Sequence, residues 1–86
     1  MKKEEIDKKM DKLQELGWSC RCDTFITYGK RIHDYDVYVS KHINELYWHV
    51  TLVWNDHNLN DEITVSYDAT LEWVLELVEV LEKGKM

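Results

Sequence analysis

The strongest constraint on the fold of this chain is a hydrophobic pattern with a period of two residues near its centre. The segment from Leu46 to Trp54 places large apolar side chains (leucine, tryptophan or valine) at every second position. A period of two puts these side chains on one face of a β-strand, because successive side chains in a strand point to opposite faces. The pattern therefore predicts an antiparallel sheet with one covered face and one open face.

Three other segments share this alternation and complete the predicted sheet. The first strand, from about residue 18 to 28, is expected to end at a two-residue turn, Gly29-Lys30, with glycine in the first turn position. The next strand is predicted over residues 31–41 and a short one over Glu62–Tyr67. The side chains predicted to point to the covered face are Trp18, Cys20, Cys22, Ile26, Tyr28, His33, Tyr35, Val37, Val39, Ile63, Val65 and Tyr67.

Helical periodicity marks both ends of the chain. A helix is predicted over residues 3–16, which carry a narrow apolar stripe. It is expected to end before Gly17, because a residue in the left-handed conformation, usually glycine, commonly follows the end of a helix. A second helix is predicted from an N-cap at Asp68 to about Lys83. Its apolar residues cover roughly 220° of the helix surface, which exceeds a single stripe. The excess is a second apolar face, expected to contact the first helix, a second subunit or a partner, and made of Trp73, Leu77 and Val80.

These segments predict one α+β domain spanning residues 1–86. The element order is α-β-β-β-β-α, with a polar turn at Lys41–Glu45 before the central strand. Connections this short favour hairpins between consecutive strands. The expected fold is a four-stranded antiparallel meander sheet with two helices packed on one face.

Acidic charge is concentrated in one part of the chain. Residues 1–17 carry five lysines and five acids, whereas residues 18–86 carry six bases and twelve acids and account for the whole net charge of −6. A negative field of this kind repels phosphate backbones and attracts basic surfaces. The distribution disfavours direct nucleic-acid binding and favours a basic protein partner, such as the surface of a nucleic-acid-binding enzyme.

The sequence carries no motif for catalysis or for a cofactor. Its three glycines, Gly17, Gly29 and Gly84, are too far apart to cradle a phosphate. Serine and cysteine residues lack the local signatures of a nucleophile beside a base. We therefore expect a non-enzymatic protein without a cofactor.

The two cysteines bear on metal binding and on the cellular compartment. Cys20 and Cys22 form one close pair and His33 is the only nearby histidine in the predicted register, whereas structural zinc sites use two close ligand pairs. No metal site is predicted, and the two thiols are expected to be buried in the core. A pair of free thiols and no apolar run of membrane-spanning length predict a cytoplasmic protein without membrane contact.

The open face of the predicted sheet gathers carboxylates and aromatic rings. In the predicted register Asp23 lies opposite Asp36, with Asp34 diagonal to it, and like charges facing each other are destabilising. Arg21, a cation or a basic partner can relieve this repulsion, although a solvated acidic edge needs no partner. The predicted partner-binding residues are Asp23, Asp34, Asp36, Phe25, Tyr38, Tyr47, His49, Glu72, Glu76 and Glu79.

In size and charge the chain resembles small acidic proteins of bacteriophages and mobile elements, some of which imitate DNA to block nucleases or defence enzymes. That likeness is one of composition and implies an inhibitor or accessory protein that binds a basic protein surface. Two alternatives remain open. One is a structural homodimer held through Trp73, Leu77 and Val80, and the other is a single-stranded nucleic-acid binder that stacks bases on the open face.

Overall fold

The computed structural model describes residues 3–55 and 60–84, and within these residues the chain forms three helices and five strands. The elements are α1 (Lys3–Met10), α2 (Lys12–Glu15), β1 (Ser19–Cys22), β2 (Phe25–Ile32), β3 (Tyr35–His42), β4 (Trp48–Asn55), β5 (Asn60–Ala69) and α3 (Leu71–Lys83). The α+β class and the antiparallel sheet are confirmed. The predicted numbers of four strands and two helices are wrong, because the described residues form five strands and three helices. The helix predicted over residues 3–16 is divided at Asp11.

The five described strands form a meander in the order β1-β2-β3-β4-β5. The extra strand arises because the first predicted strand divides at Asp23-Thr24, where the Asp23 amide donates to the Phe25 carbonyl at 2.9 Å. The predicted turn at Gly29-Lys30 is also wrong, since both residues lie inside β2. A Cβ atom at Gly29 would lie 3.2 Å from Cε1 of Tyr38, so this glycine makes room for an aromatic ring on the next strand.

The actual hairpin between β2 and β3 turns at His33-Asp34. His33 has a φ of 55°, a left-handed conformation that the first residue of a tight hairpin turn requires and that glycine adopts most easily. The His33 ring is also tied to the far end of the last helix, since its Nε2 lies 3.2 Å from the Glu82 carbonyl oxygen. The turn therefore joins the sheet to α3.

The covered face of the sheet forms the core with α1, α2 and α3. Val37 and Val39 of β3 and Val50 of β4 are fully buried, which confirms the predicted faces of β3 and β4. Asp36 and Tyr38 alternate with these valines and point to the open face. The buried apolar residues are Met10, Leu13, Trp18, Tyr28, Ile32, Val37, Val39, Trp48, Val50, Ala69, Leu71 and Val74.

The first helical segment, made of α1 and α2, is anchored to this core by two polar contacts that the sequence pattern does not predict. Lys41, predicted to begin a polar turn, lies in β3 with a fully buried side chain, and its Nζ lies 3.1 Å from Asp7 Oδ1 of α1. The same Nζ donates to the Glu45 carbonyl at 2.9 Å and lies 5.5 Å from the Trp48 ring centroid. Asp11, between α1 and α2, accepts a hydrogen bond from the Tyr28 hydroxyl at 2.9 Å.

The pairing of β5 with β4 departs from a regular register at two places. Register shifts lie between the Trp48 and Val50 pairs and between the Val50 and Thr51 pairs. A bulge adds one residue and moves the following side chains to the other face. Tyr67, predicted to point to the core, is exposed instead and its ring contacts His49 of the open face.

Helix α3 begins two residues later than predicted. Thr70 is the N-cap, since its hydroxyl accepts a hydrogen bond from the Trp73 amide at 3.1 Å. Asp68, the predicted cap, is instead the last residue but one of β5. The predicted end near Lys83 is confirmed.

Candidate functional site

The predicted cluster of three carboxylates does not form. Asp23 lies in the turn before β2 and Asp34 in the turn after it, so the eight-residue strand separates them by about 25 Å. Asp36 faces Arg31 of β2 rather than Asp23, and Arg31 Nη1 lies 3.7 Å from Asp36 Oδ1. The prediction failed because it placed the hairpin turn at Gly29-Lys30.

The open face carries three of the four predicted rings, Phe25, Tyr38 and His49, together with two that the sequence analysis did not predict, His42 and Tyr67. Phe25 packs edge-on against His42 with ring centroids 5.3 Å apart, and His49 packs edge-on against Tyr67 at 5.6 Å. The two pairs lie near the same end of β2, β3, β4 and β5. We call Phe25, His42, His49 and Tyr67 the ring row; Tyr38 lies further along the same face, beside Gly29.

Glu45 holds the two histidines of the ring row in place. Its Oε1 accepts a hydrogen bond from the His42 amide at 2.9 Å, and its Oε2 lies 3.3 Å from His49 Nε2. The hydrogen bond from the His42 backbone, followed by that from His49, lowers the pKa of this carboxyl. Nδ1 of His42 accepts from the Asn44 amide at 3.1 Å.

The other predicted residues lie away from the open face. Tyr47 is in the loop before β4 and lines a cavity of about 220 Å³ between α1, this loop and the start of α3. Glu72 of α3 forms an ion pair with Lys9 of α1, which lowers the pKa of its carboxyl. The carboxylates of α3 and the rings of the open face therefore lie on opposite sides of the sheet and cannot form one contact surface.

The cavity beside Tyr47 is small and mainly apolar. Its lining residues are Ile6, Lys9, Met10, Leu46, Tyr47, Trp48, Asp68, Ala69, Thr70, Leu71 and Glu72. Pockets that hold small molecules usually measure about 300–1,000 Å³. This cavity is a gap in helix packing rather than a convincing ligand site.

A second exposed surface lies on the side of the sheet that elsewhere forms the core. The register pairs fully buried Val37 with Leu52, and Leu52 with Ile63, so all three point to the covered face. Ile63 is nevertheless 61% exposed, and Trp54, on the same face of β4, is 44% exposed. The helical layer therefore ends before it reaches this part of β4 and β5.

Helix α3 turns apolar residues toward the same region. The ion pair of Glu72 with Lys9 fixes the flank of α3 that faces α1. At 3.6 residues per turn, Trp73 and Leu77 lie roughly 100° and 140° round the helix from Glu72, on the flank that faces away from α1. Trp73 and Leu77 are half-buried and Val80 is 63% exposed. The second apolar face of α3 therefore does not meet the first helix.

We define the uncovered corner as Trp54, Ile63, Leu77 and Val80. The sheet residues Trp54 and Ile63 form its floor, and the α3 residues Leu77 and Val80 form its wall. Contiguous exposed apolar surface on a monomer commonly marks a contact site. Glu76 and Glu79 are exposed on the outer side of the same helix, and Glu79 Oε1 accepts from Lys83 at 2.7 Å.

The two cysteines differ from their predicted state. Cys20 and Cys22 lie on β1, the edge strand, and both are exposed free thiols rather than buried ones. Their side chains do share the face of Tyr28 and Ile26, but the edge of the sheet leaves them accessible. Within residues 3–55 and 60–84, no three histidine, cysteine or acidic side chains are grouped closely enough to hold a metal ion.

Comparisons with known proteins do not assign the chain to a class. No protein-family model, curated protein or solved structure matches it. Among the helices that the structure describes, none has the length and apolar character needed to span a membrane.

Proposed function

We propose that this protein is a non-enzymatic protein-binding module and that the uncovered corner is its contact surface. The observation that supports the proposal most is the exposure of Ile63 and Val80, at 61% and 63%, beside the apolar core. Full burial of an aliphatic side chain is worth about 1.5–3 kcal/mol, so covering this corner supplies a driving force for association. Open sheet faces are often solvated, whereas an exposed stretch of the core side is unusual.

The charge of the chain indicates what kind of protein binds there. Its net charge is −6, and α3 carries four glutamates and one lysine along its length. Complementary charge speeds the encounter of two proteins and excludes partners of the same sign. The partner in this proposal is a basic protein surface, such as that of a nucleic-acid-binding enzyme, and the protein is an inhibitor or accessory protein of the phage or mobile-element type.

The cytoplasm is the compartment that we propose for this interaction. Two exposed thiols, Cys20 and Cys22, lie two residues apart on an edge strand. Exposed thiols oxidise or cross-link readily outside a reducing compartment. A cytoplasmic site of action would keep both cysteines in the free form.

Site-specific photo-crosslinking in the native host tests the binding function. A photoreactive residue at position 63 is expected to give one defined adduct with a basic protein. The same residue at position 25, which is an exposed apolar position on the open face, serves as the matched control. No adduct at position 63, or equal adducts at both positions, would contradict a contact at the uncovered corner.

A second candidate function is binding of single-stranded nucleic acid on the ring row. Phe25 and Tyr67 are exposed beside His42 and His49, and Arg21 is exposed on the same face at β1. Aromatic rings on an open sheet can stack with unpaired bases. Fluorescence anisotropy with short oligonucleotides tests this, and a Tyr67→Ala variant should weaken any binding that uses the ring row.

A structural homodimer through Trp73, Leu77 and Val80 is a third candidate, favoured by the exposure of Val80. Sedimentation equilibrium at tens of micromolar distinguishes it from the other two. A dimer that dissociates when Val80 is replaced by glutamate would support it, whereas a monomer would rule it out at that concentration.

A further inference from the structure

We propose that the occupant of the uncovered corner is a basic amphipathic α-helix of the partner, lying beside α3 against β4 and β5. This inference rests on the proposed binding function and adds the secondary structure and charge of the bound segment. It follows from the width of the sheet, the shape of the corner and the charge on α3.

The sheet has room for one more helix. Strands lie about 4.8 Å apart, so one helix, packed at an axial separation of about 8–10 Å from its neighbour, covers roughly two strands. The described helices are held over the β2 and β3 side: Asp11 bonds Tyr28, Asp7 pairs with Lys41, and the Glu82 carbonyl meets His33. The remaining part of β4 and β5 is about one helix wide.

The shape of the corner suits a helix better than a strand. Its floor, Trp54 and Ile63, and its wall, Leu77 and Val80, meet along the side of α3. A helix with an apolar stripe about 100° wide can contact floor and wall together. An added strand would instead pair with the backbone edge of β5 and would leave the α3 wall of the corner uncovered.

The charge on α3 selects a basic helix rather than a second copy of this chain. Glu72 and Glu79 already pair with Lys9 and Lys83, and Glu76 is exposed on the outer side of α3 near Val80. A second copy would bring the same glutamates close to these and would be repelled. Lysine or arginine residues beside the apolar stripe of a partner helix would be attracted to them.

Synthetic peptides test this inference with the intact protein. The probe is a peptide of about four helical turns with leucine at i, i+3, i+4 and i+7 positions and lysine elsewhere. Two controls are the same peptide with glutamate in place of lysine and a scrambled peptide with the lysine probe's composition. We expect the lysine probe alone to bind, to shift the backbone amide signals of Trp54 and Ile63, and to bind more weakly at high salt.

Two matched variants separate the corner from general charge attraction. Ile63→Glu and Phe25→Glu each replace an exposed apolar residue by an acid, at the corner and on the open face respectively. Ile63→Glu should weaken binding of the lysine probe at least about tenfold, equal to about 1.4 kcal/mol, while Phe25→Glu leaves it within about twofold. Charge attraction alone would make both variants bind more tightly, and that result would overturn the inference.

The outcomes also distinguish this inference from the proposed function. A crosslink at position 63 combined with failure of the lysine probe would preserve the binding function and reject the basic helix as occupant. Equal binding of the lysine and glutamate probes would reject the charge argument. Because Ile63 is 61% exposed, Ile63→Glu should remain folded, and circular dichroism checks this.

Discussion

Lys41 is the residue whose role is furthest from what its type suggests. Its ammonium group is fully buried between Asp7, the Glu45 carbonyl and the face of Trp48. A buried charge is stable only when it is paired and hydrogen-bonded, so Asp7 is needed to keep Lys41 where it is. The sequence predicts Lys41 to begin a turn, because lysine at the end of an alternating strand normally marks the return to solvent.

Removing the Asp7 carboxylate alone should destabilise the protein more than removing both charges of the Asp7–Lys41 pair. Asp7→Asn leaves the Lys41 ammonium buried without its counter-charge, and we expect a loss of about 3 kcal/mol in the free energy of unfolding. Asp7→Leu combined with Lys41→Met removes both charges and should be closer to wild type. Urea unfolding followed by tryptophan fluorescence measures both. A double variant less stable than Asp7→Asn would contradict this account.

Tyr28 gives the protein a pH-dependent stability at alkaline pH. Burial, followed by the hydrogen bond to Asp11, raises the pKa of the Tyr28 hydroxyl far above its ordinary value of 10.0. The unfolded chain releases this proton near pH 10, whereas the folded chain keeps it, so the stabilisation is complete below pH 10 and is lost as the pH rises further.

Tyr28→Phe tests this linkage. Between pH 10 and 11 the wild type should lose up to about 1.4 kcal/mol more stability than Tyr28→Phe, because the variant has no proton to release at this position. Urea unfolding of both proteins at pH 8, 10 and 11 gives the comparison and cancels the titration of other groups. Parallel pH profiles for the two proteins would show that Tyr28 does not carry the effect.

At the scale of elements, alternation predicted the faces of β3 and β4 well because these two strands pair with each other in regular register and bury their central valines. Val37, Val39 and Val50 lie where the period of two places them. The same rule failed at β2, since glycine signals both a turn and a close approach of a neighbouring ring. Gly29 serves the second purpose, beneath Tyr38.

The residues of the two candidate surfaces could be predicted only in part, because alternation is regular in some strands and not in others. Phe25, Tyr38 and His49 lie on the open face as expected, because their strands keep regular alternation. Tyr67 is predicted to point to the core, since no residue type marks the register shifts of β5. The position of Ile63 was predicted correctly, but its exposure depends on how far α3 reaches across the sheet, which a single sequence does not reveal.

Capping of α3 distinguishes the structure from the sequence prediction. Thr70→Ala removes the hydroxyl that accepts from the Trp73 amide and should cost about 1 kcal/mol. Asp68→Ala changes an exposed side chain two residues earlier and should cost about 0.5 kcal/mol or less. Thermal unfolding of both variants gives the order. A larger loss for Asp68→Ala would return the cap to its predicted position.

At the scale of the whole molecule, the first helical segment is part of the core rather than a removable cover. Met10 and Leu13 are almost completely buried, and Asp7 pairs with Lys41. Loss of a large buried apolar side chain costs about 2–5 kcal/mol. Small domains have total stabilities of about 5–15 kcal/mol, so these contacts represent much of what holds the sheet and helices together.

A chain that begins at Trp18 should therefore lose cooperative unfolding. Its urea transition, followed by circular dichroism, is expected to be broad or absent at neutral pH. The control is the full chain with Lys8→Ala and Lys12→Ala, two exposed positions in the same segment, which should unfold like the wild type. A sharp transition in the shortened chain would show that residues 18–86 fold alone.

The ring row and the uncovered corner lie on opposite faces of one sheet and toward opposite ends of its strands, since His49 lies near the start of β4 and Trp54 near its end. Two molecules bound on opposite sides of the sheet would not collide, so occupancy of one surface leaves the other free. If both proposed surfaces bind, the hydrogen-bonded strands between them would hold the two bound molecules at a fixed spacing.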